Sequence, residues 1–308
     1  MNAMPLSAAE LCDAMRHGRF FDSSRLSRIL NIDAQRGLLE VQARTPWATI
    51  AAELRPGDPR AAGVRTTMAT VGESVACNAA GPDGQPAVAH VHALTLVTPE
   101  GELRRLSRNR DRELFSLAVG GHALFGAFYS ITLRIDSLER AVEHASPPEC
   151  ILLNPGRHTG PLELLLPPER LESFVSDADA RCNDWRMPLR SVELRRTAAE
   201  DDTFLRWACR AFAEVKLSFS ACEALGAQVR GRQLRRELIA AAIAAGGRFQ
   251  IASTRDATRE QAELCYPQLA VFLAHKRRFD PRERLTNDWY LHQRMLLACV
   301  EDVVRWNH

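Results

Sequence analysis

Apolar positions change their period along this chain, and the changes separate helices from strands. Leu6–His17 has helical spacing, with Ser7 a plausible N-cap and Glu10 three residues later completing a capping box. Arg25–Asp33 and Gly37–Ala43 read as strands, the second alternating well between apolar and polar positions. Pro46–Leu54 returns to helical spacing and stops at the breaker-rich RPGDPRAAG. Val91–Val97 and Glu102–Leu106 flank Pro99-Glu100-Gly101, which signals a hairpin. A short helix over Asp111–Ala118 and a strand over Ala127–Ile135 complete the first part.

Ser137–Gly160 is rich in Pro, Gly and His, and this change of composition predicts a domain boundary. Beyond it the pattern predicts strand Leu162–Leu166, helix Pro168–Asp184, strand Leu189–Arg196 and a long helix around Asp202–Glu214. Strand Val215–Ser220 and helix Leu225–Ala245 follow, and Gln261–His308 is mainly helical around the breaker Asp280-Pro281. Such an order predicts the α+β class, with a sheet covered by helices on one side. Three stretches result: 1–138, 139–260, and a C-terminal helical stretch 261–308 that returns to the first.

With 308 residues, 46% hydrophobic and 25% charged, the chain has ample material for a core. A net charge of +2 gives no support to nucleic-acid binding, which needs a concentrated basic face. Arg230–Arg236 and Lys276–Arg278 read as solvated helix faces, with a charged-ligand role as the alternative. Eight cysteines are scattered, the nearest pair thirteen residues apart, so no metal spacing exists and reduced, buried thiols are expected. His90 and His92 are placed on one face of a strand and, lacking a third ligand, are expected to be structural. The N-terminus shows no secretion signal, and Leu238–Ala245 is too short to span a bilayer, so a cytoplasmic protein is expected.

Small residues cluster between Thr66 and Thr132, where a backbone must come close to something. Thr70-Val71-Gly72-Glu73-Ser74-Val75-Ala76-Cys77-Asn78-Ala79-Ala80-Gly81 is similar to a "tvGGaia.n.hG" loop. Leu114-Phe115, Gly120-Gly121 and Phe125-Gly126 to Leu133 match "LF.a..GG.g.fGvi...tlrl". Ser24–Leu54 matches a preceding strand–helix pattern, and Tyr266-Pro267, Phe272, Lys276, Asp280-Pro281 and Asn287-Asp288-Trp289-Tyr290 match a closing one. In this order the motifs resemble the FAD-linked oxidases of the vanillyl-alcohol oxidase / p-cresol methylhydroxylase (PCMH) fold, nearest the sugar-lactone, alditol and decaprenylphosphoryl-ribose oxidase group. The resemblance covers the chain from about Phe21.

The resemblance implies a truncated PCMH-type FAD-binding domain followed by an α+β cap domain that faces the substrate. It implies an oxidoreductase that binds FAD non-covalently and oxidises a small hydroxylated or lactone-type molecule by hydride transfer to flavin N5. Carried over by position, Val71, Gly72, Asn78, Gly81, Gly120, Gly121, Gly126 and Asn287 would contact the cofactor. Lys276, Gln250 and His122 would serve the chemistry, His122 as acid or base and Gln250 as a substrate-facing group. Each has a plainer alternative: glycines making a tight turn, an exposed loop histidine, a surface lysine. Asn287 could simply pack the C-terminal helix onto the core.

Departures cluster where the flavin would lie. Arg44 stands for a glycine, Glu73 for the second glycine of its motif, and Ala80 for a histidine. A carboxylate at Glu73 would repel a pyrophosphate. The glycine-rich pyrophosphate loop of the family has no counterpart before Ser24, and a partner chain could cover its place. The alternative function is therefore a flavin-free relative: a pseudoenzyme, a partner subunit, or a non-redox ligand-binding or catalytic protein.

Overall fold

The structure is a computed structural model that describes residues 4–19, 21–57, 69–143, 161–220 and 226–298, and the main chain of 149–152. It belongs to the α+β class and contains two five-stranded antiparallel sheets. The chain divides into two compact units: Met1–Ser146 with Glu200–Arg206 and Ala270–Leu291, and Pro147–Ala199 with Trp207–Leu269 and His292–His308.

In the first unit, helix α1 (Ala8–Arg16) is capped by Ser7, whose hydroxyl accepts from the Glu10 N–H at 3.3 Å. The Glu10 carboxylate reaches one residue further back than expected and accepts from the Leu6 N–H at 2.7 Å. Strands β1 (Ile29–Asp33), β2 (Leu38–Gln42), β3 (Val91–Val97), β4 (Leu103–Ser107) and β5 (Ala127–Arg134) form a sheet in the order β1-β2-β5-β3-β4. Alternation in β2 puts Leu39 and Val41 wholly in the core. β3 lies between β4 and β5, so its residues are buried nearly throughout and its sequence reads as an apolar run. Helices α2 (Trp47–Leu54), α3 (Val71–Cys77), α4 (Arg112–Ala118) and α5 (Ile135–Glu143) accompany the sheet. Leu11 and Met15 of α1 join Leu26 and Val97 in a core cluster. Fully burying each such side chain stabilises the fold by about 1.5–3 kcal/mol.

β5 runs directly into α5, so the expected boundary segment opens with a helix: Ser137 lies in its first turn. The sequence Ile135-Asp136-Ser137-Leu138 buries Leu138 and, a turn later, Ala141 and Val142, and this outweighs the breaker-rich residues beyond. Glu200–Arg206 also belongs to the first unit, where Arg108 forks onto the Asp202 carboxylate at 2.7 and 3.0 Å and Phe204 donates its N–H to Ser116.

The second unit holds β6 (Glu149–Leu152), β7 (Leu162–Leu166), β8 (Leu189–Thr197), β9 (Phe212–Phe219) and β10 (Arg248–Phe249), ordered β10-β7-β9-β8-β6. Helix α6 (Leu171–Asp184) packs on β8, and α7 (Ala227–Ala244) packs on β7 and β10. Asp202–Glu214 is not the expected long helix: it is irregular up to Ala211, and Phe212 opens β9. Its apolar residues serve separate ends, since Phe204 sits in the first unit while Trp207 and Phe212 are buried in the second. Helices α8 (Arg259–Cys265), α9 (Leu269–Phe279) and α10 (Asp288–Leu297) follow, and α9 stops before Asp280-Pro281. The expected helical stretch over 299–308 lies outside the described residues, as does the Leu225 start of α7.

Candidate functional site

Asn78, Gly120, His122 and Asn287 come together at the C-terminal end of α3. Thr70 caps this helix by accepting from the Glu73 N–H, and the Glu73 carboxylate accepts from the Thr70 N–H at 3.2 Å. Asn78 ends the helix in the left-handed conformation, with φ +48°. Its carbonyl oxygen accepts from the Val88 N–H at 2.9 Å, and its amide donates to Glu200 at 3.3 Å. The Gly120 N–H donates to the Val75 carbonyl and the His122 N–H to the Ala76 carbonyl, so this loop closes the end of α3. The His122 ring stacks on Trp289 at 4.0 Å, and its Nδ1 lies 3.9 Å from the Cys77 thiol. Asn287 caps α10 through its oxygen and donates its amide to the His122 carbonyl at 2.8 Å.

The remaining expected residues lie elsewhere. Gly126 packs against Leu96 and Val97, Gly81 turns beside Asp83, and Val71 opens α3 in the core. The N–H groups of Val71, Gly72, Asn78, Gly81, Gly120 and Gly121 each donate to a carbonyl of the chain itself. At Gly72 an added Cβ would stand 2.6 Å from the Ala43 carbonyl oxygen, so its missing side chain lets α3 touch β2's continuation. A flavin cradle needs backbone donors facing open space. These six N–H groups do not present one. Glu73 is matched by the neighbouring departure: Arg44 binds its carboxylate at 2.6 Å.

Lys276 departs from the expected solvated face. It is fully buried, forms an ion pair with Asp280, and lies 5.5 Å over the Tyr290 ring. Burial pushes its ammonium pKa down, against the attraction of Asp280. Asp280 also accepts from the N–H groups of Arg284 and Leu285 at 3.0 and 2.9 Å, so the pair organises the turn after α9. Gln250 belongs to the second unit, where its N–H bonds the Glu163 carbonyl and its side-chain oxygen accepts from Ala252. Glu163 in turn binds Lys216 at 2.9 Å and Ser253 at 2.6 Å.

Glu214, buried on β9, is raised above the ordinary carboxyl range by burial and then by the charge of Glu163. A raised folded pKa gives stability that is complete below the ordinary value of 4.5 and lost as pH rises through the folded value. Glu214→Gln is therefore expected to raise the melting temperature at roughly pH 8 while changing it little at roughly pH 4. Thermal melts at the two pH values check this, and an equal shift at both would contradict it.

His90 and His92 do not share a strand face. His90 caps a 3-10 turn (Ala87–Ala89) and is buried, while His92 is exposed on β3. Sequence reasoning also missed the partners of His90. Its Nδ1 lies 2.6 Å from the Ser137 hydroxyl, and its Nε2 lies 3.6 Å from the Asp83 carboxylate. Beside them α2 and α5 border a narrow apolar cleft, partly open to solvent, lined by Trp47, Ile50, Leu54, Ala80, Leu138 and Val142. Ala80, where the resemblance has a histidine, makes part of this apolar wall.

No protein-family model matches the sequence. Among the described residues no group of side chains could hold a metal ion, and no helix is long and apolar enough to cross a membrane.

Proposed function

We propose that this chain works without flavin, as a non-redox protein on a scaffold like that of the FAD-linked oxidases, and takes a small apolar molecule in the cleft between α2 and α5. One observation carries the reading: the N–H groups of six of the eight residues expected to hold the flavin (Val71, Gly72, Asn78, Gly81, Gly120 and Gly121) are spent on the chain's own carbonyls. The side chains expected to do chemistry are engaged as well. Lys276 is neutralised by Asp280, His122 is stacked on Trp289, and Gln250 bonds its own loop. The cleft, by contrast, has an apolar lining with polar groups at His90 and Ser74, the usual composition of a small-molecule site.

A second reading is the FAD-dependent oxidoreductase of a small hydroxylated or lactone-type substrate. The convergence of Asn78, Gly120, His122 and Asn287 favours it, because four separately expected residues meet at one helix end.

The visible absorbance of the purified protein, taken after incubation with excess FAD and desalting, separates the two. No flavin bands are expected, either for the native chain or for Glu73→Gly, which leaves the committed N–H groups unchanged. Bands that survive desalting would overturn the flavin-free reading in favour of the oxidoreductase.

A further inference from the structure

The series Ser137–His90–Asp83 has the order of a nucleophile, a base and an orienting carboxylate. Ser137 Oγ is 2.6 Å from His90 Nδ1, within reach of direct proton transfer. Asp83 stands on the far side of the ring, 3.6 Å from Nε2, and is itself fixed by the Gln85 N–H at 3.1 Å. Burial acts to raise the Asp83 pKa, but the nearby His90 ring and the backbone N–H of Gln85 outweigh it and hold the carboxyl below its usual range. An anionic Asp83 favours a proton on Nε2, which leaves the Nδ1 lone pair to accept from the Ser137 hydroxyl. The two ring nitrogens thus exchange the places they take in most serine hydrolases, with the roles unchanged.

The surroundings suit the chemistry. His90 is almost wholly buried, so its hydrogen bonds are sheltered from water. Ser137 and Asp83 line an open hollow of about 430 Å³ with a mixed polar and apolar lining, which gives a substrate access. Arg140, one turn along α5 from Ser137, lines the same hollow and is paired with Asp136 at 3.1 Å. On the other side, His90 and Leu138 border the apolar cleft.

We propose that Ser137 is the nucleophile of an acyl-transfer site that hydrolyses carboxylic esters with an apolar acyl chain. The acyl-chain part rests on the non-redox reading of the cleft. Ser137 Oγ forms a bond to the ester carbonyl carbon as its proton passes to His90 Nδ1, leaving the carbonyl oxygen as an oxyanion. The bond from that carbon to the alkoxy oxygen then breaks, and His90 returns the proton to the departing alcohol. Water attacks the acyl-serine, gives its proton to His90, and releases the carboxylic acid with Ser137 restored. Asp83 is a positioning residue, acting through His90.

The probe is an alkyl fluorophosphonate, which loses fluoride as Ser137 Oγ bonds to phosphorus, and the readout is intact and peptide mass. One adduct per chain on the peptide containing Ser137 is expected. Ser137→Ala is expected to abolish it, and His90→Gln to slow labelling by about 100-fold or more. Asp83→Asn should slow labelling and shift its pH profile while the far-UV circular dichroism stays native. No adduct on the natively folded chain, or an adduct retained in Ser137→Ala, overturns the proposal. Labelling of Ser137 together with faster turnover of an octanoyl than an acetyl nitrophenyl ester supports both the triad and the cleft. Labelling with no chain-length preference retains the nucleophile and removes the cleft reading. The absorbance test with FAD is read on the unlabelled protein, so its outcome stays separate from this one.

Discussion

Asp280→Ala is expected to remove about 3–5 kcal/mol of folding stability, because it leaves a buried ammonium without a counter-charge. Lys276 is fully inaccessible and its charge already suffers from burial, and the charges of Glu283 and Glu100 support it less than the directly bonded Asp280 carboxylate does. Two backbone N–H groups, those of Arg284 and Leu285, also lose their acceptor. Lys276→Met should cost less than Asp280→Ala, since Asp280 keeps both of these donors. Combining Lys276→Met with Asp280→Ala should recover part of the loss, because a neutral core replaces an unpaired charge. Urea unfolding of the three variants measures this, and a loss below about 1 kcal/mol in Asp280→Ala would show the pair to be solvated. The same series speaks to function. A lysine held for substrate chemistry would be dispensable for stability, whereas this one is expected to be needed for it.

Gly121→Ala is the second large effect. An added Cβ would sit on the Leu117 carbonyl oxygen and within 3.2 Å of the Ala118 oxygen. Both are main chain, so the neighbours cannot turn aside as a long side chain could. About 3 kcal/mol of destabilisation is expected, at the upper end for overpacking a filled interior. Gly231→Ala in α7 is the control. Its Cβ would meet only the flexible end of Met187 at 3.4 Å, and a helix interior favours alanine by about 1 kcal/mol. Opposite shifts of the urea midpoint are expected for the two glycines, and a tolerated Gly121→Ala would contradict the packing described for that loop.

The contrast between these glycines explains much of what could be read from the sequence. The first sheet was legible because its strands alternate or run apolar next to recognisable turns, as with β3, Pro99-Glu100-Gly101 and β4. The helix α9 and its stop at Asp280-Pro281 were legible for the same reason. What could not be read were features that depend on partners far away in the chain. Whether the Gly72 backbone faces a ligand or Ala43 depends on a strand thirty residues earlier, and no local pattern carries that. Lys276 sits in a run of three basic residues, and only the fold distinguishes its buried place from the exposed places of Arg277 and Arg278. Asp202–Glu214 read as a helix because its apolar residues have a helical period, although they are divided between two cores. Arg44 and Glu73 looked like separate departures, yet they offset each other as a 2.6 Å pair. Ser137 and His90, forty-seven residues apart, gave no signal at all, because a three-residue constellation has no periodicity.

The stitch formed by Arg108 and Asp202 has a consequence for how the chain comes to its shape. The first unit draws on residues 200–206 and 270–291, so its synthesis begins before the second unit and finishes after most of it. Its five strands emerge early, yet Phe125 and His122 wait for Phe272 and Trp289 to cover them. Closing contacts across so long a stretch is slow compared with pairing neighbouring strands. During that interval the apolar face of the first sheet is the part of the nascent chain most in need of shelter, and the second unit can complete its own sheet while the first still waits for its lid.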